Sequence, residues 1–157
     1  MIPIIARVGS IFVRPKSGLS VAATPLTNPI CSYRDLRVWQ QSMELVESTY
    51  RVTKSFPDTE RYGLVNQLRR AAVSVASNIA EGHARSTGDY VRHLLISSGS
   101  LAEIETQFIV SSRLGFLADS EAASLLEACN HLGRMLGGLR KSLRSRRSKP
   151  RAPSPYP

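Results

Sequence analysis

Apolar residues recur at intervals of three and four along most of the chain, the spacing of one face of an α-helix. Four such lines follow one another, separated by short segments that contain Pro, Gly or Asp. They predict helices at about 34–54, 59–82, 86–115 and 119–143. The apolar positions of the four lines are Leu36, Trp39, Met43, Val46 and Tyr50; Leu64, Leu68, Ala71 and Val75; Tyr90, Leu94, Leu101, Ile104 and Phe108; and Ala122, Leu125, Cys129, Leu132, Leu136, Leu139 and Leu143.

The connections between these lines carry turn and capping residues. Pro57 disfavours helix in the residue before it, and Asp58 can cap the helix that follows. Ser86 and Asp89 have the spacing of a capping box, and Gly115 is a typical helix stop. Short connections between amphipathic helices place consecutive helices side by side. The sequence shows no strand pattern. The sequence therefore predicts an all-α fold, an up-and-down antiparallel four-helix bundle with disordered N- and C-terminal tails.

The second helix has little side-chain bulk. Small residues lie on nearly every side of it, which favours a central position with close neighbours: Ala71, Ala72, Ser74, Ala76, Ser77, Ala80 and Gly82. Its polar residues Asn78 and Glu81, together with Glu103 on the third helix, suit a crowded crossing where polar groups satisfy one another and set the packing register. A sharper alternative has Arg69 and Arg70 reaching across a subunit boundary or onto a phosphate.

The net charge of +9 is concentrated at the two ends. Residues 1–32 are predicted to be a disordered arm, or the product of a mistaken translation start, and contain no acidic residue. Residues 33–143 form the predicted bundle, with nearly balanced charge. Residues 144–157 form a basic, disordered tail, again without an acid. There is no secretory signal and no apolar run of the roughly 20 residues that a membrane span needs, so we expect a cytoplasmic protein with no membrane partner.

Motifs of enzyme chemistry are absent from the sequence. A carboxylate-bridged metal site in a bundle uses Glu-x-x-His, whereas Glu127 and His131 are four residues apart, as are Asp89 and His93. Cys129 falls on an apolar line, the usual place of a structural thiol. No phosphate-binding loop or dinucleotide motif occurs. We expect no catalytic residues, no metal and no cofactor.

Nucleic-acid binding is the function that the basic residues favour. The candidate contacts are Arg69, Arg70, Arg140, Lys141, Arg144, Arg146, Arg147, Lys149 and Arg151. Sequence-independent contact of the tail with phosphate fits this set better than base stacking, because exposed aromatic candidates are few. The alternative for the tail is a solvated segment that serves solubility.

A surplus of apolar positions predicts self-association. Residues beside the main apolar lines would form an exposed patch on a lone bundle: Val38, Leu45 and Val52 on the first helix, and Leu95, Ile96, Ile109 and Val110 on the third. The alternative is a wider bundle that buries them at flanking positions.

Several segments resemble the 23S rRNA intervening-sequence protein family of bacterial four-helix-bundle proteins. They are the segments 36–40 (Leu-Arg-Val-Trp-Gln), 67–74, 77–82 (Ser-Asn-Ile-Ala-Glu-Gly), 99–107 and 114–117. The resemblance covers about 33–143, and segment 77–82 is its most specific part. Members commonly start just before the Leu-x-Val-Trp motif, so residues 1–32 are a departure.

The resemblance implies a non-enzymatic homopentamer that associates with RNA or a ribonucleoprotein. Accessory proteins of diversity-generating retroelements, which bind a reverse transcriptase and nucleic acid, are similar in fold and oligomer. We therefore expect an RNA-binding or scaffold protein. An accessory module for a reverse transcriptase is the alternative.

Overall fold

The computed structural model describes residues 31–148 and consists of four α-helices with two short 3-10 turns. The helices are α1 (Arg37–Val52), α2 (Leu64–His83), α3 (Thr87–Arg113) and α4 (Asp119–Ser148). The 3-10 turns, Tyr33–Asp35 and Asp58–Glu60, precede α1 and α2. The prediction of an all-α four-helix bundle is confirmed. The predicted arm lies outside the described residues up to residue 30, as does the predicted tail from residue 149 onward.

The helices are arranged as an up-and-down bundle. Each packs against the next in sequence, and α1 closes the bundle against α4, whereas the described residues make no contact between the diagonal pairs α1–α3 and α2–α4. The rings of Phe56 and Phe116 lie 5.8 Å apart, so the α1–α2 and α3–α4 connections are at the same end. Short connections thus give antiparallel neighbours.

Local signals fix the helix ends. The Ser32 side chain accepts from the backbone of Arg34 in a capping box with Asp35, which the sequence pattern did not bring out. At α3 the Ser86 hydroxyl accepts from the Asp89 backbone N–H and donates to the Asp89 carboxylate, so both residues of the predicted box take part. Gly115 follows α3 with φ of 73°, a conformation that favours glycine.

One apolar core runs through the bundle. Its fully buried side chains come mainly from α2, α3 and α4: Leu68, Val75, Ile79, Leu94, Ile104, Phe108, Cys129, Leu132 and Leu136. α2 packs most extensively against α3, where its small residues allow a close approach. The predicted central position is wrong, because α2 lies beside α1 and α3 but not α4. A Cβ added at Gly82 would lie 2.6 Å from Cδ2 of Tyr90 and 2.8 Å from Cβ of His93, so only glycine fits there. The tight contact between α2 and α3 positions the polar groups described below.

The predicted faces of α1 are wrong. Val38 and Leu45, predicted to be surplus and open to an interface, are only 5% and 3% exposed, and Val52 packs partly buried against the core. Tyr50, predicted for the core, is 41% exposed. The buried line also contains Ser42, Thr49 and Thr53.

Small hydroxyl residues explain this error. The hydroxyls of Ser42, Thr49 and Thr53 donate to carbonyls of α1 itself, those of Trp39, Leu45 and Thr49, at 2.6–2.8 Å. A hydroxyl satisfied within its own helix can be buried at little cost. The larger residues on the other line, Trp39, Met43 and Val46, are half-buried at the edge of the bundle.

The end of α4 also differs from the prediction. The helix continues to Ser148, five residues beyond the predicted end at 143, so residues 144–148 are helical and that part of the tail prediction is wrong. The reason is local: this stretch contains only Arg and Ser, with no Gly or Pro, and Pro150 is the first residue that stops a helix. Basic side chains in a last turn also suit the helix dipole.

Candidate nucleic-acid interface

Three polar pairs join α2 and α3 like the rungs of a ladder. Gln107 donates its amide N–H to the Gln67 side chain at 3.3 Å, the Ser74 and Ser100 hydroxyls are 2.9 Å apart, and Asn78 Oδ1 lies 3.0 Å from His93 Nδ1. Ser97 adds a bond to the Val75 carbonyl at 3.1 Å. We call the three pairs the polar ladder. Buried polar groups need partners, so this ladder favours one register of α2 against α3.

The Asn78–His93 rung has a defined proton arrangement. The Asn78 amide nitrogen donates to the Ser74 carbonyl at 2.9 Å, which turns its Oδ1 toward the imidazole. His93 therefore carries a proton on Nδ1. Glu81 lies beside this rung, with Oε1 3.9 Å from His93 Nε2 and 2.6 Å from an Arg85 nitrogen, but its side chain is half exposed. Of the predicted register residues, Asn78 is a rung and Glu81 flanks it.

Glu103, the third of these residues, supports another rung. Its Oε1 accepts from the Gln107 amide at 3.1 Å, so the amide nitrogen serves both Glu103 and Gln67. Gln107 Oε1 is buried and makes no hydrogen bond among the described residues. A small polar cavity of about 320 Å³ lies here, between Gln67, Glu103 and Arg70.

A larger cleft of about 700 Å³ opens between α1 and α2 near the end where these helices are connected. Its nine lining residues include three arginines, two tyrosines and no acidic residue: Tyr50, Arg61, Tyr62, Val65, Asn66, Arg69, Arg70, Val73 and Ser74. We call it the basic cleft. Positive charge unopposed by carboxylates attracts anions, and exposed aromatic rings offer flat apolar surface.

Arg69 is held in the wall of the basic cleft by α1. Its Nε donates to Thr53 Oγ1 at 2.9 Å, and its guanidinium carbon lies 4.7 Å from the centroid of the Tyr50 ring. Thr53 is itself fixed, since its hydroxyl donates to the Thr49 carbonyl. The other guanidinium N–H groups of Arg69 remain available to a ligand.

The other two arginines of the basic cleft are exposed. Arg61 lies just before α2 and Arg70 on its second turn. In the part of the chain that the structure describes, neither they nor Arg69 form an ion pair. Tyr62, next to Arg61, is 85% exposed. Arg70 also borders the small polar cavity, so it lies between that cavity and the basic cleft.

The remaining predicted nucleic-acid residues that the structure describes lie far from the basic cleft. Arg140, Lys141, Arg144 and Arg146 are on the last turns of α4, at the opposite end of the bundle. From the end that holds both connections, Arg70 is about 9 Å along α2 and Arg140 about 32 Å along α4 at 1.5 Å per residue. Arg147 is on the final turn of α4, and Lys149 and Arg151 are outside the described residues. The structure thus divides the described members of the predicted set between two ends.

The apolar side chains of α3 that were predicted to be surplus are exposed. Leu95, Ile96, Ile109 and Val110 are each more than a third exposed, and at 100° per residue they share the side of α3 opposite its buried face. We call them the α3 strip.

An apolar groove of about 270 Å³ lies between α1 and α2, next to the basic cleft. Trp39, Met43 and Val46 form its α1 wall, and Val73 lines both the groove and the cleft. We call it the apolar groove. The α1 surface that remains open is therefore formed by the large residues, not by Val38 and Leu45.

Comparison with known proteins agrees with this architecture. The sequence model for the family described as 23S rRNA-intervening sequence protein matches residues 34–138. The chain belongs to this family. A crystal structure of a protein of unknown function from the S23 ribosomal protein family of Bacteroides thetaiotaomicron is similar, with a TM-score of 0.60 and 19% identity over 66% of this chain and 98% of that chain. At that identity the likeness shows the fold alone. No curated protein matches the chain.

This member of the 23S rRNA-intervening sequence protein family has two cleft residues that the sequence prediction missed, Arg61 and Tyr50. The sequence contained a signal for Arg61. Arg61 and Arg69 are eight residues apart within the predicted second helix, and that spacing places two residues on one side of a helix. Tyr50 was missed because its place in a regular apolar line predicted burial. Tyr62 was not singled out because a lone tyrosine in a connection carries little weight without its neighbours.

The Cys129 thiol of this family member lies in the apolar core. Burial, followed by the nearby Glu105 carboxylate, raises the pKa of the Cys129 thiol to about 12, so this thiol stays protonated near neutral pH. Within residues 31–148 no three His, Cys, Asp or Glu side chains are grouped as metal ligands. None of the helices in that range has the length and apolar character to cross a bilayer.

Proposed function

We propose that this protein binds RNA, without catalysing a reaction, through the basic cleft. The observation that carries the proposal is the lining of the cleft: three arginines without a carboxylate, beside two exposed tyrosine rings. Arginine binds phosphate through a planar fork of donors, and its desolvation cost is lower than that of lysine. The family description names an rRNA element, which fits this chemistry.

The basic end of α4 supplies a second, weaker contribution. Arg140, Lys141, Arg144 and Arg146 lie on consecutive turns of one helix. Exposed charges on a convex helix surface attract a polyanion but do not surround it, whereas a cleft contacts it from two sides. The basic cleft therefore sets the affinity, and the α4 end adds long-range attraction.

A matched pair of double variants tests this proposal. Arg61→Gln with Arg70→Gln removes two exposed charges from the basic cleft, and Arg140→Gln with Lys141→Gln removes one half-buried and one exposed charge from α4. We expect the cleft variant to lose at least tenfold in affinity for a labelled RNA in fluorescence anisotropy, and the α4 variant less than threefold. The slope of log affinity against log salt falls by about 1.4 in the cleft variant, at roughly 0.7 per lost contact on a single strand.

Two results would overturn the proposal. Equal losses in both variants would mean that affinity follows net charge and not the cleft. An absence of RNA binding by the wild-type protein even at low salt would exclude the function altogether. Circular dichroism confirms that both variants remain folded.

We also propose that the bundle self-associates, with the α3 strip of one copy against the apolar groove of the next. Both surfaces are apolar and exposed, and they lie on different helices, so the contact is head-to-tail. Head-to-tail contacts close into rings when the rotation permits, which accommodates the five copies that the family resemblance suggests. The basic cleft continues from the groove and stays at the rim of such a contact.

Light scattering on a size-exclusion column tests the self-association. Ile96→Glu with Ile109→Glu introduces charge into the α3 strip and is expected to yield monomers, while Ser124→Glu with Asn130→Glu, both exposed on α4, is the matched control. A monomeric wild-type protein would contradict the proposal.

A second candidate function follows from the same strip. If the double variant keeps the wild-type mass, the α3 strip is available to another protein, and the function becomes that of an interaction module, with a reverse transcriptase as the partner to test. Exposed apolar patches mark protein contacts more often than nucleic-acid contacts, so this candidate concerns the strip and not the basic cleft. Co-purification with the polymerase, lost on Ile96→Glu, would support it.

A further inference from the structure

The Tyr62 ring is exposed to solvent beside the three arginines of the basic cleft. It is 85% exposed, the highest exposure among the large apolar and aromatic side chains that the structure describes. No other aromatic or cationic group of the described residues contacts its ring. Tyr50, across the cleft, differs because the Arg69 guanidinium already covers a face of its ring at 4.7 Å. Tyr62 is therefore the cleft ring that no cation of the described residues covers.

We infer that the basic cleft binds an unpaired nucleobase on the Tyr62 ring, so that the RNA ligand is single-stranded at this point. The inference rests on the proposed function and names the form of RNA that the same site takes. Base stacking on Tyr62 differs from phosphate binding alone, because any single strand or duplex can supply phosphates.

The arginines are placed to hold the strand on either side of such a base. Arg61 adjoins Tyr62 in sequence, and Arg70 lies on the second turn of α2. Arg69 is fixed by Thr53 and Tyr50, so its guanidinium is oriented before a ligand arrives. A fixed planar cation is itself a stacking surface for a base, and the two exposed arginines can follow the backbone. The volume of about 700 Å³ is within the range of pockets that hold a single small ligand.

Base pairing would block this mode of binding. In an A-form duplex each base is stacked on its neighbours and offers no free face, and recognition occurs through backbone and 2′-hydroxyl contacts. Stacking on an aromatic side chain, by contrast, adds affinity for an exposed base of any sequence. The basic cleft is thus expected to prefer unpaired RNA without a strong sequence preference.

Four ligands and two variants test the inference. The ligands are a single-stranded oligoadenylate, an abasic ribose-phosphate oligomer of the same length, a blunt RNA duplex and free adenosine monophosphate. The variants are Tyr62→Ala, which removes the ring, and Tyr62→Phe, which keeps it. Because Tyr62 is so exposed, neither variant is expected to affect folding.

We expect wild-type protein to bind the oligoadenylate at least fivefold more tightly than the abasic oligomer, from base–aromatic stacking. Tyr62→Phe retains this ratio and Tyr62→Ala reduces it toward one. Equal affinity for the oligoadenylate and the abasic oligomer, unchanged in Tyr62→Ala, would overturn the inference while leaving phosphate-based RNA binding intact. Adenosine monophosphate binding as tightly as the oligomer would show a free nucleotide to be the ligand and would also overturn it. Failure of every RNA to bind would remove the proposed function as well.

Discussion

The guanidinium carbon of Arg69 lies 4.7 Å from the centre of the Tyr50 ring, so a cation of α2 is held by an aromatic residue of α1. The Nε–H of Arg69 donates a hydrogen bond to the hydroxyl of Thr53, the residue that follows α1. The neighbouring Arg70 has no such contact among the described residues and points into the open cleft. Two adjacent arginines thus differ in role: one is anchored and the other free.

This difference predicts different effects on stability. Arg69→Ala removes the cation–π contact and a hydrogen bond, and is expected to lower the free energy of unfolding by about 1–2 kcal/mol. Arg70→Ala changes it by less than about 0.5 kcal/mol, because an exposed residue without partners contributes little. Urea denaturation measures both. Equal stability of the two variants would show that the contact with Tyr50 is not an anchor.

The contact at Gly82 predicts a loss of stability on adding one methyl group. In Gly82→Ala the new Cβ would lie 2.6 Å from a Tyr90 ring carbon, so α3 must shift, at a cost of about 1–3 kcal/mol. Gly138→Ala is the control, since its Cβ meets nothing within 4 Å and alanine favours helix by about 0.5–1 kcal/mol. Thermal melts of the two variants should therefore move in opposite directions. A wild-type melting temperature for Gly82→Ala would contradict the close packing.

Tyr90 carries a buried hydroxyl that makes no hydrogen bond among the described residues. Removing it in Tyr90→Phe relieves an unsatisfied polar group, so we expect the free energy of unfolding to be unchanged or to rise by up to about 1 kcal/mol. A loss of more than 1 kcal/mol in urea denaturation would instead reveal a partner for this hydroxyl.

The two thiols are expected to react differently. Cys31 is exposed and Cys129 is buried, so a thiol reagent at pH 8 should label one cysteine in the folded protein and both in urea. Immediate labelling of both in the folded protein would mean that the core opens readily.

The pKa of Cys129 also predicts a pH dependence of stability. Burial raises this pKa from 9.0 to about 12, so between these values the folded state holds a proton that the unfolded state has released. The resulting contribution to the free energy of unfolding is constant below pH 9 and declines from pH 9 to 12. The decline should be smaller in Cys129→Ala, as followed by urea denaturation across this range.

Sequence reasoning worked where a single physical rule decided the outcome. The periodicity of apolar residues predicted four helices and their order, and the small residues of α2 predicted close neighbours, as its contact with α3 shows. It failed on α1, where two apolar lines compete. The line with the larger residues was taken for the core, but the line with Val38, Leu45 and Thr49 is buried, because its hydroxyls are satisfied within the helix.

The basic cleft could not be predicted from the sequence, for a different reason. Its residues come from the end of α1, the connection and the start of α2, so no one periodic pattern contains Tyr50, Tyr62 and Arg69 together. Arg69 and Arg70 were predicted as nucleic-acid contacts with residues of α4 that lie at the opposite end of the bundle. The packing of α1 against α2 brings Tyr50 to Arg69, whereas the separation of Arg70 from the α4 residues follows from their places along the two helices.

Photo-cross-linking tests the place of RNA binding most directly. The full-length protein is bound to a single-stranded RNA containing 4-thiouridine, irradiated, and digested for mass spectrometry of the cross-linked peptides. The account predicts cross-links within residues 50–74, foremost at Tyr62, which disappear with unlabelled competitor RNA. Cross-links confined to the end of α4, with none in residues 50–74, would contradict it.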